Sequence, residues 1–358
     1  MKKIFIAATQ QNDGKTTIAL GLILNLKEKV KRVGYFKPIG QRFLEEEGSS
    51  VSKDTVLIEK VCKLRTKSTD TNPIVVKRGF TEKYIQNPKK EEITHRILKS
   101  FKKISKNRKI MIIEGTGHAG VGAVFDHSNA EVAKILGAQV IIVSSGGIGK
   151  PIDEIFLNHN LFKSVGVKVL GVIINKVLFD KLEKVSHYVK KGLERKNIKV
   201  LGVLPFYEEL NTPTLEQILE ETNYELISGN RFLNNKVTNI IVGAMPTSDA
   251  LNLLKAGSLI ITPGDRDDII LAVISSVLSG IKISGLILTQ GILPHFRILG
   301  FLKRADFPVI LAKEDIFTVA TKIKDITVKI RPKDKDKIFL IKEMVKKYIN
   351  IKEIIESN

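Results

Sequence analysis

Residues 8–18 read ATQQNDGKTTI; they follow the apolar run Lys3-Ile4-Phe5-Ile6-Ala7 and lead into a helical pattern. Gly14, Lys15 and Thr16 match the last three fixed places of the phosphate-binding motif G-x-x-x-x-G-K-[ST]. In that motif backbone N–H groups wrap the phosphates, the Lys reaches their oxygens and the hydroxyl holds Mg²⁺. The first Gly of the motif falls at Thr9, so the strict pattern is broken. What remains is a buried strand, a tight loop and a helix start, a context that gathers positive potential on a bound anion. An ordinary helix start capped by Asn12 or Asp13 is the plainer alternative. It accounts poorly for Lys15, because a cation in the first turn opposes the helix dipole unless something anionic sits there. Asn12, Asp13, Gly14, Lys15, Thr16 and Thr17 are therefore expected to cradle the phosphates of ATP, with Mg²⁺ alongside.

Outward from this loop, apolar strands alternate with amphipathic helices. Strands are expected at 3–8, 32–37, 109–114, 139–144, 168–174 and 199–204, with helices at about 15–29, 52–64, 91–105, 129–137, 151–163 and 178–195. Strands apolar on both faces that alternate with helices imply an α/β domain with a mostly parallel sheet covered on both sides. Ligands bind beyond the C-terminal ends of such strands. The loops at 8–14, 37–42, 114–122, 144–150, 175–177 and 204–207 should converge there.

Two of those loops, and Asp54 further along the chain, carry matching chemistry. IMIIEGTG ends a strand in Glu114, a carboxylate able to hold Mg²⁺ or its water opposite Thr16, and the flanking Gly115 and Gly117 imply a close backbone approach. YFKPI ends another in Lys37, a second cation at the same rim. Asp54 lies where a loop enters a helix, as a further metal ligand or a first-turn acid favoured by the dipole. Ser128 with Glu131 reads as a capping box.

Bulk properties bound the reading. At 358 residues two domains are the expectation. With 43% hydrophobic and 27% charged residues the chain is an ordinary globular one. One cysteine, Cys62, excludes an internal disulfide framework, fits a reducing cytoplasmic compartment and is a poor nucleophile candidate. No signal peptide is evident, and no apolar run approaches the roughly 20 residues of a membrane span. The net charge of +20 raises nucleic acid as a partner. The lysines are spread along the chain with few aromatics between them, so a solvated surface with weak non-specific binding at low salt is expected rather than a specific nucleic-acid site.

The second half begins afresh after Asn211-Thr212-Pro213-Thr214, a linker with Thr214 as helix cap. Strands at 237–243, 258–262, 284–289 and 307–312 with helices between predict a second, smaller α/β domain. From Pro332 onward apolar residues at helical spacing predict a C-terminal helix packed on one of the domains. The expected division is 1–210, 212–330 and 331–358.

The ordered set ATQQNDGKTT, FKPIG, Asp54, IIEGTG, SSGGIGK, GVIINK and GVLPF resembles dethiobiotin synthetase and the dethiobiotin-synthetase-like domain at the N-terminus of some phosphotransacetylases. That resemblance implies a P-loop fold in which Lys15 binds phosphate, Thr16, Asp54 and Glu114 hold Mg²⁺, and Lys37 neutralises the transferred phosphoryl group or its acceptor. It further implies that Asn175, with the Pro205 loop, meets the adenine edge. Ile39-Gly40-Gln41-Arg42 departs from the small and hydroxyl residues that receive the synthetase substrate, so dethiobiotin synthesis is not expected. The second half resembles the DRTGG domain through Asp265-Arg266 and Thr289-Gln290-Gly291. Asp265 to Asp268 alternatively cap the helix that follows. The acetyltransferase domain of long phosphotransacetylases is not in this sequence, so acetyl transfer is not expected of it. The combined reading is a Mg-ATP-binding protein that hydrolyses ATP or moves its γ-phosphoryl to a small anionic acceptor, with a homodimerising or effector-binding DRTGG half. The alternative is a non-catalytic, nucleotide-responsive regulatory module.

Overall fold

The computed structural model describes residues 1–41, 43–46, 49–64 and 66–357. Arg42, the last residue of the stretch that departs from the synthetase pattern, lies outside the described residues. The chain forms two compact units, residues 1–207 together with 330–358, and residues 208–329.

The first unit is built on β1 (Lys2–Ala8), β2 (Val33–Phe36), β3 (Ile110–Glu114), β4 (Gln139–Ser145), β5 (Val169–Val177) and β6 (Val200–Pro205). They form one sheet in the order β6-β5-β4-β1-β3-β2, every pairing parallel. β-Branched and aromatic residues fill these strands; Ile4, Phe5, Ile6, Met111, Ile112, Ile113, Ile141 and Ile142 are wholly buried, as a sheet covered on both faces requires. Helices α1 (Lys15–Lys29), α2 (Lys53–Cys62), α3 (Lys90–Ser105), α4 (Asn129–Leu136), α5 (Gly149–Ser164) and α6 (Leu182–Glu194) make the crossovers. The α4 start carries the expected Ser128/Glu131 capping box. Between α2 and α3 lie elements without a clear sequence signal: Ser68–Thr71, Phe80–Gln86 and the two-residue strand Ile74–Val75, which pairs with Ile39–Gly40 before α2.

The second unit starts with α7 (Leu215–Thr222), capped by Thr214 and Gln217 as a box. Its sheet comprises β7 (Glu225–Ser228), β8 (Asn239–Val242), β9 (Ser258–Pro263), β10 (Gly285–Thr289) and β11 (Val309–Leu311) in the order β7-β11-β10-β9-β8. Only β7 runs antiparallel. Helices α8 (Thr247–Leu253), α9 (Asp267–Leu278), α10 (Phe296–Leu302) and α11 (Ile316–Lys324) complete it.

The C-terminal segment is a part of the first unit rather than an appendage. It breaks at Ile349 into α12 (Lys335–Tyr348) and α13 (Ile351–Glu356). α12 lies against α1, where Gly21 lets the backbones close: a Cβ there would sit 2.4 Å from Val345 Cγ2. Buried Asn25 donates its side-chain amide to Gly21 O at 2.8 Å and to Lys342 O at 2.9 Å, stitching the pair. α1 is therefore apolar almost all round, covered by the sheet on one side and α12 on the other. Among the described residues no helix is long and apolar enough to cross a membrane.

Candidate functional site

β1 ends at the centre of the first sheet, and the chain crosses to opposite sides of it for β3 and β4, which makes the loop after β1 a topological switch point. That loop is held from within. Asp13 turns inward: its carboxylate accepts from Gln10 N at 2.7 Å, Thr9 Oγ1 at 2.8 Å and Ser145 Oγ at 2.6 Å. Neither Asn12 nor Asp13 caps α1. The cap position is Gly14, left-handed at φ 102°, with no side-chain acceptor for the first helical N–H groups. A side chain on Gly14 would also meet Asn175 Nδ2 at 2.2 Å. Asn175 donates to Asp13 O at 2.9 Å and Lys176 Nζ to Asn12 O at 2.8 Å, so the end of β5 supports the loop from beneath. Phe206 N donates to Val177 O at 2.7 Å, tying the Pro205 turn to the same corner.

Lys15 opens α1 almost fully buried, and forms no ion pair among the described residues. Burial holds its pKa below the ordinary lysine value, offset in part by the Glu114 charge. Uncapped N–H groups and an unpaired ammonium together make a strongly anion-seeking helix start.

Beside it lies a linked set of charges. Lys37 Nζ reaches Asp54 Oδ2 at 2.7 Å and Glu114 Oε1 at 3.0 Å. Thr16 Oγ1 donates to Glu114 Oε1 at 2.7 Å and Tyr35 OH to Glu114 Oε2 at 2.9 Å. Burial pulls the Lys37 pKa down, but Asp54 and Glu114 outweigh it and hold the ammonium above its usual range. Burial and the Glu114 charge push the Tyr35 phenol up, so it stays a donor. Asp54 and Glu114 thus flank one ammonium, with the Thr16 hydroxyl on Glu114, and all three offer the oxygen donors that suit Mg²⁺. Ser52, not Asp54, caps α2.

The glycines after Glu114 do mark a close approach, as expected of them, and the neighbour is the protein itself. A Cβ on Gly115 would stand 2.6 Å from both Phe5 Cε1 and Asn129 Oδ1, so the close approach is internal packing. Sequence reading also missed a buttress. Glu59, buried, accepts from Thr66 Oγ1 at 2.8 Å, Ser68 Oγ at 2.5 Å and Thr71 Oγ1 at 2.5 Å. The segment this fixes holds Lys37 by its backbone, through Lys37 N to Thr71 O and Asn72 Nδ2 to Lys37 O, both 2.9 Å. Hydroxyls at spacings of seven, nine and twelve residues from Glu59 follow no helical or strand period, so no sequence signal marks this buttress.

In the second unit the loops after β8, β9 and β10 meet at one rim. Arg266 donates Nη2 to Met245 O at 3.0 Å and forms a two-pronged pair with Asp268, 2.8 Å on each arm. That pairing holds the Asp268 carboxyl well below the usual carboxylate range. Gly264 lies so close to Ile292 O that a Cβ would reach 1.8 Å. Gln290 takes a left-handed φ of 64°, as does Gly291 at 66°.

A family model described as an AAA domain matches residues 2–214. The chain belongs to this family. A DRTGG domain model matches residues 217–326 behind the AAA domain. The chain is 27% identical to the phosphate acetyltransferase of Pseudomonas putida and 28% identical to that of Pseudomonas aeruginosa, each alignment covering 98% of this chain and 51% of the relative. It therefore spans about half the length of the curated relatives it matches. Among solved structures, the MinC:MinD cell division protein complex of Aquifex aeolicus is 16% identical over 59% of this chain and 84% of that chain, with a TM-score of 0.38.

Proposed function

We propose that the AAA domain binds Mg-ATP at residues 8–17 and moves its γ-phosphoryl to water or to a small carboxylate or carbamate acceptor. The observation that carries this is Lys15, a buried and unpaired ammonium at an uncapped helix start. Backbone N–H groups from Asn12 to Thr17 surround the phosphates, and Lys15 neutralises their oxygens. Thr16, Asp54 and Glu114 are the oxygen ligands for Mg²⁺, which when bound adds charge neutralisation between phosphates. Lys37, positioned between the two carboxylates, neutralises the transferred group or the acceptor. Asn175 and the Pro205 turn flank the adenine. Phosphate release under Mg-ATP tests the reading: it should be measurable in the parent and absent in Lys37→Ala. Turnover unchanged in that variant would overturn the role of Lys37.

A second reading, a nucleotide-responsive module without turnover, draws on the saturation of Lys37 by two carboxylates and of Arg266 by Asp268. ATP binding with no phosphate release under any acceptor favours it. In either reading the DRTGG rim, with Leu293 exposed beside Ile292 and with Met245 and Pro246 in the loop after β8, pairs two copies. Light scattering on the full chain should give a dimer mass at micromolar concentration, and a monomer would leave the rim to a small anionic effector.

A further inference from the structure

The lysines that look scattered in the sequence are gathered by the topology. In a parallel sheet every helix ends, and every strand begins, at the edge opposite the nucleotide rim. The segments there are 1–3, 27–32, 102–109, 134–139, 163–168 and 190–199, the lead-ins to the six strands. They hold nineteen Lys and Arg against two Glu, Glu28 and Glu194. The opposite rim loops, 8–14, 37–42, 114–122, 144–150, 175–177 and 204–207, hold four Lys and Arg against two acids. Fifteen of the nineteen edge cations are exposed, among them Lys31, Arg32, Lys106, Lys109, Lys168 and Lys196. Among the described residues, Asp70 pairs with Lys103 and Glu353 with Lys199, while Glu28 is itself taken by Lys342.

Two plain explanations fall short. A lysine-rich composition would affect the whole chain, yet residues 208–329 carry twelve Lys and Arg against fourteen Asp and Glu. Helix dipoles favour cations in last turns, yet of helices α7 to α11 in the second unit only α11 follows that rule, with Lys322 and Lys324, and the last turns of α7, α8, α9 and α10 hold none. The charge belongs to this edge.

We infer that the strand-N-terminal edge of the AAA domain is a docking surface for the phosphodiester backbone of a duplex nucleic acid, read without regard to sequence. Five interstrand steps of about 4.8 Å make the edge about 24 Å long, and over that length a duplex carries about 14 phosphate charges. The match in charge is close, and a row of flexible lysines tolerates any base sequence. An anionic bilayer fits less well. Of the exposed large apolar side chains only Met1 lies in these segments, so there is nothing further to insert among lipid tails.

The test uses the full chain and fluorescence anisotropy with a labelled DNA duplex, an RNA duplex of equal length, and vesicles containing phosphatidylglycerol. The edge variant combines Lys31→Gln, Arg32→Gln, Lys106→Gln, Lys109→Gln and Lys168→Gln. A control of equal charge combines Lys83→Gln, Lys89→Gln, Lys90→Gln, Lys181→Gln and Lys184→Gln, all exposed residues elsewhere on the same domain. Parent affinity should fall steeply between about 50 and 200 mM salt, and the edge variant should bind at least about tenfold more weakly with a shallower salt slope while the control stays near the parent. Binding to one duplex type or to both supports the surface and identifies its source. Equal losses in the two variants, binding to vesicles alone, or no binding would each overturn it. Should the edge variant fold poorly, lysine acetylation footprinting of the parent decides the matter: duplex must protect Lys31, Lys106 and Lys109 more than Lys83 and Lys90.

Discussion

Lys15 and Lys37 are buried ammonium groups at one rim, and their replacement should leave opposite signatures. Lys37 is the only described side chain bridging Asp54 and Glu114. Lys37→Met removes the ammonium that the two carboxylates share and should cost about 3–5 kcal/mol of folding stability. Lys15 has no such partner, and burial already disfavours its charged form. Lys15→Met should therefore leave the denaturant midpoint unchanged or raised, while ATP affinity measured by calorimetry drops by at least about 1.5–3 kcal/mol. Equal midpoint losses in the two variants would contradict this asymmetry. Cys62 offers a test in pH. Burial raises its thiol from 9.0 to about 12. A raised folded pKa gives stability that is complete below the unfolded value and is lost as pH climbs through the folded one. The stability advantage of the parent over Cys62→Ser should thus shrink between pH 9.0 and about 12. At neutral pH the thiol should react with disulfide reagents about a thousandfold more slowly than an exposed cysteine. Much of the candidate site could be read from residues such as Glu114 and Lys37, because a charged residue closing an apolar strand has few other reasons to be there. The Glu59 buttress could not, since hydroxyls at Thr66, Ser68 and Thr71 carry no periodicity and gain meaning only when the chain folds back on α2.

At the scale of elements, the six parallel strands were legible because each is a largely apolar, buried run, as in Ile110–Glu114. β7 was not: Glu225–Ser228 is short, partly exposed and pairs antiparallel at an edge, so neither apolar continuity nor alternation marks it. The region between α2 and α3 was opaque for a related reason, being short pieces set by side-chain hydrogen bonds rather than by a repeating apolar face. α12 shows what pattern alone cannot give, namely the surface a helix chooses. Gly21 decides that choice. In an isolated helix Gly→Ala gains about 1 kcal/mol, but here the added methyl would stand 2.4 Å from Val345 Cγ2 and 3.2 Å from Ile341 Cγ2. Overpacking of this kind costs about 1–3 kcal/mol, so Gly21→Ala should lower the melting temperature. Adding Val345→Ala should recover part of the loss, and a double-mutant cycle showing no coupling would refute the close α1–α12 contact.

For the whole molecule the decisive feature is that the first unit is discontinuous in sequence. Residues 330–358 return to it after the second unit is complete, and bury Ile341, Met344, Val345, Ile351 and Ile354 in it. At about 1.5–3 kcal/mol for each buried side chain, this segment contributes on the order of 10 kcal/mol, comparable to the net stability of an entire domain. Calorimetry of the full chain should show two transitions, of which Mg-ATP raises only one, because a ligand stabilises the unit that binds it by about 2.7 kcal/mol at a hundredfold excess over Kd. Deleting residues 330–358 should abolish that ATP-sensitive transition and leave the other in place, since the DRTGG unit keeps its own sheet and core clusters. If the shortened chain still shows an ATP-shifted transition, the C-terminal helices are a covering and not a structural part of the nucleotide domain, and the burial of α1 must be sustained by the sheet alone.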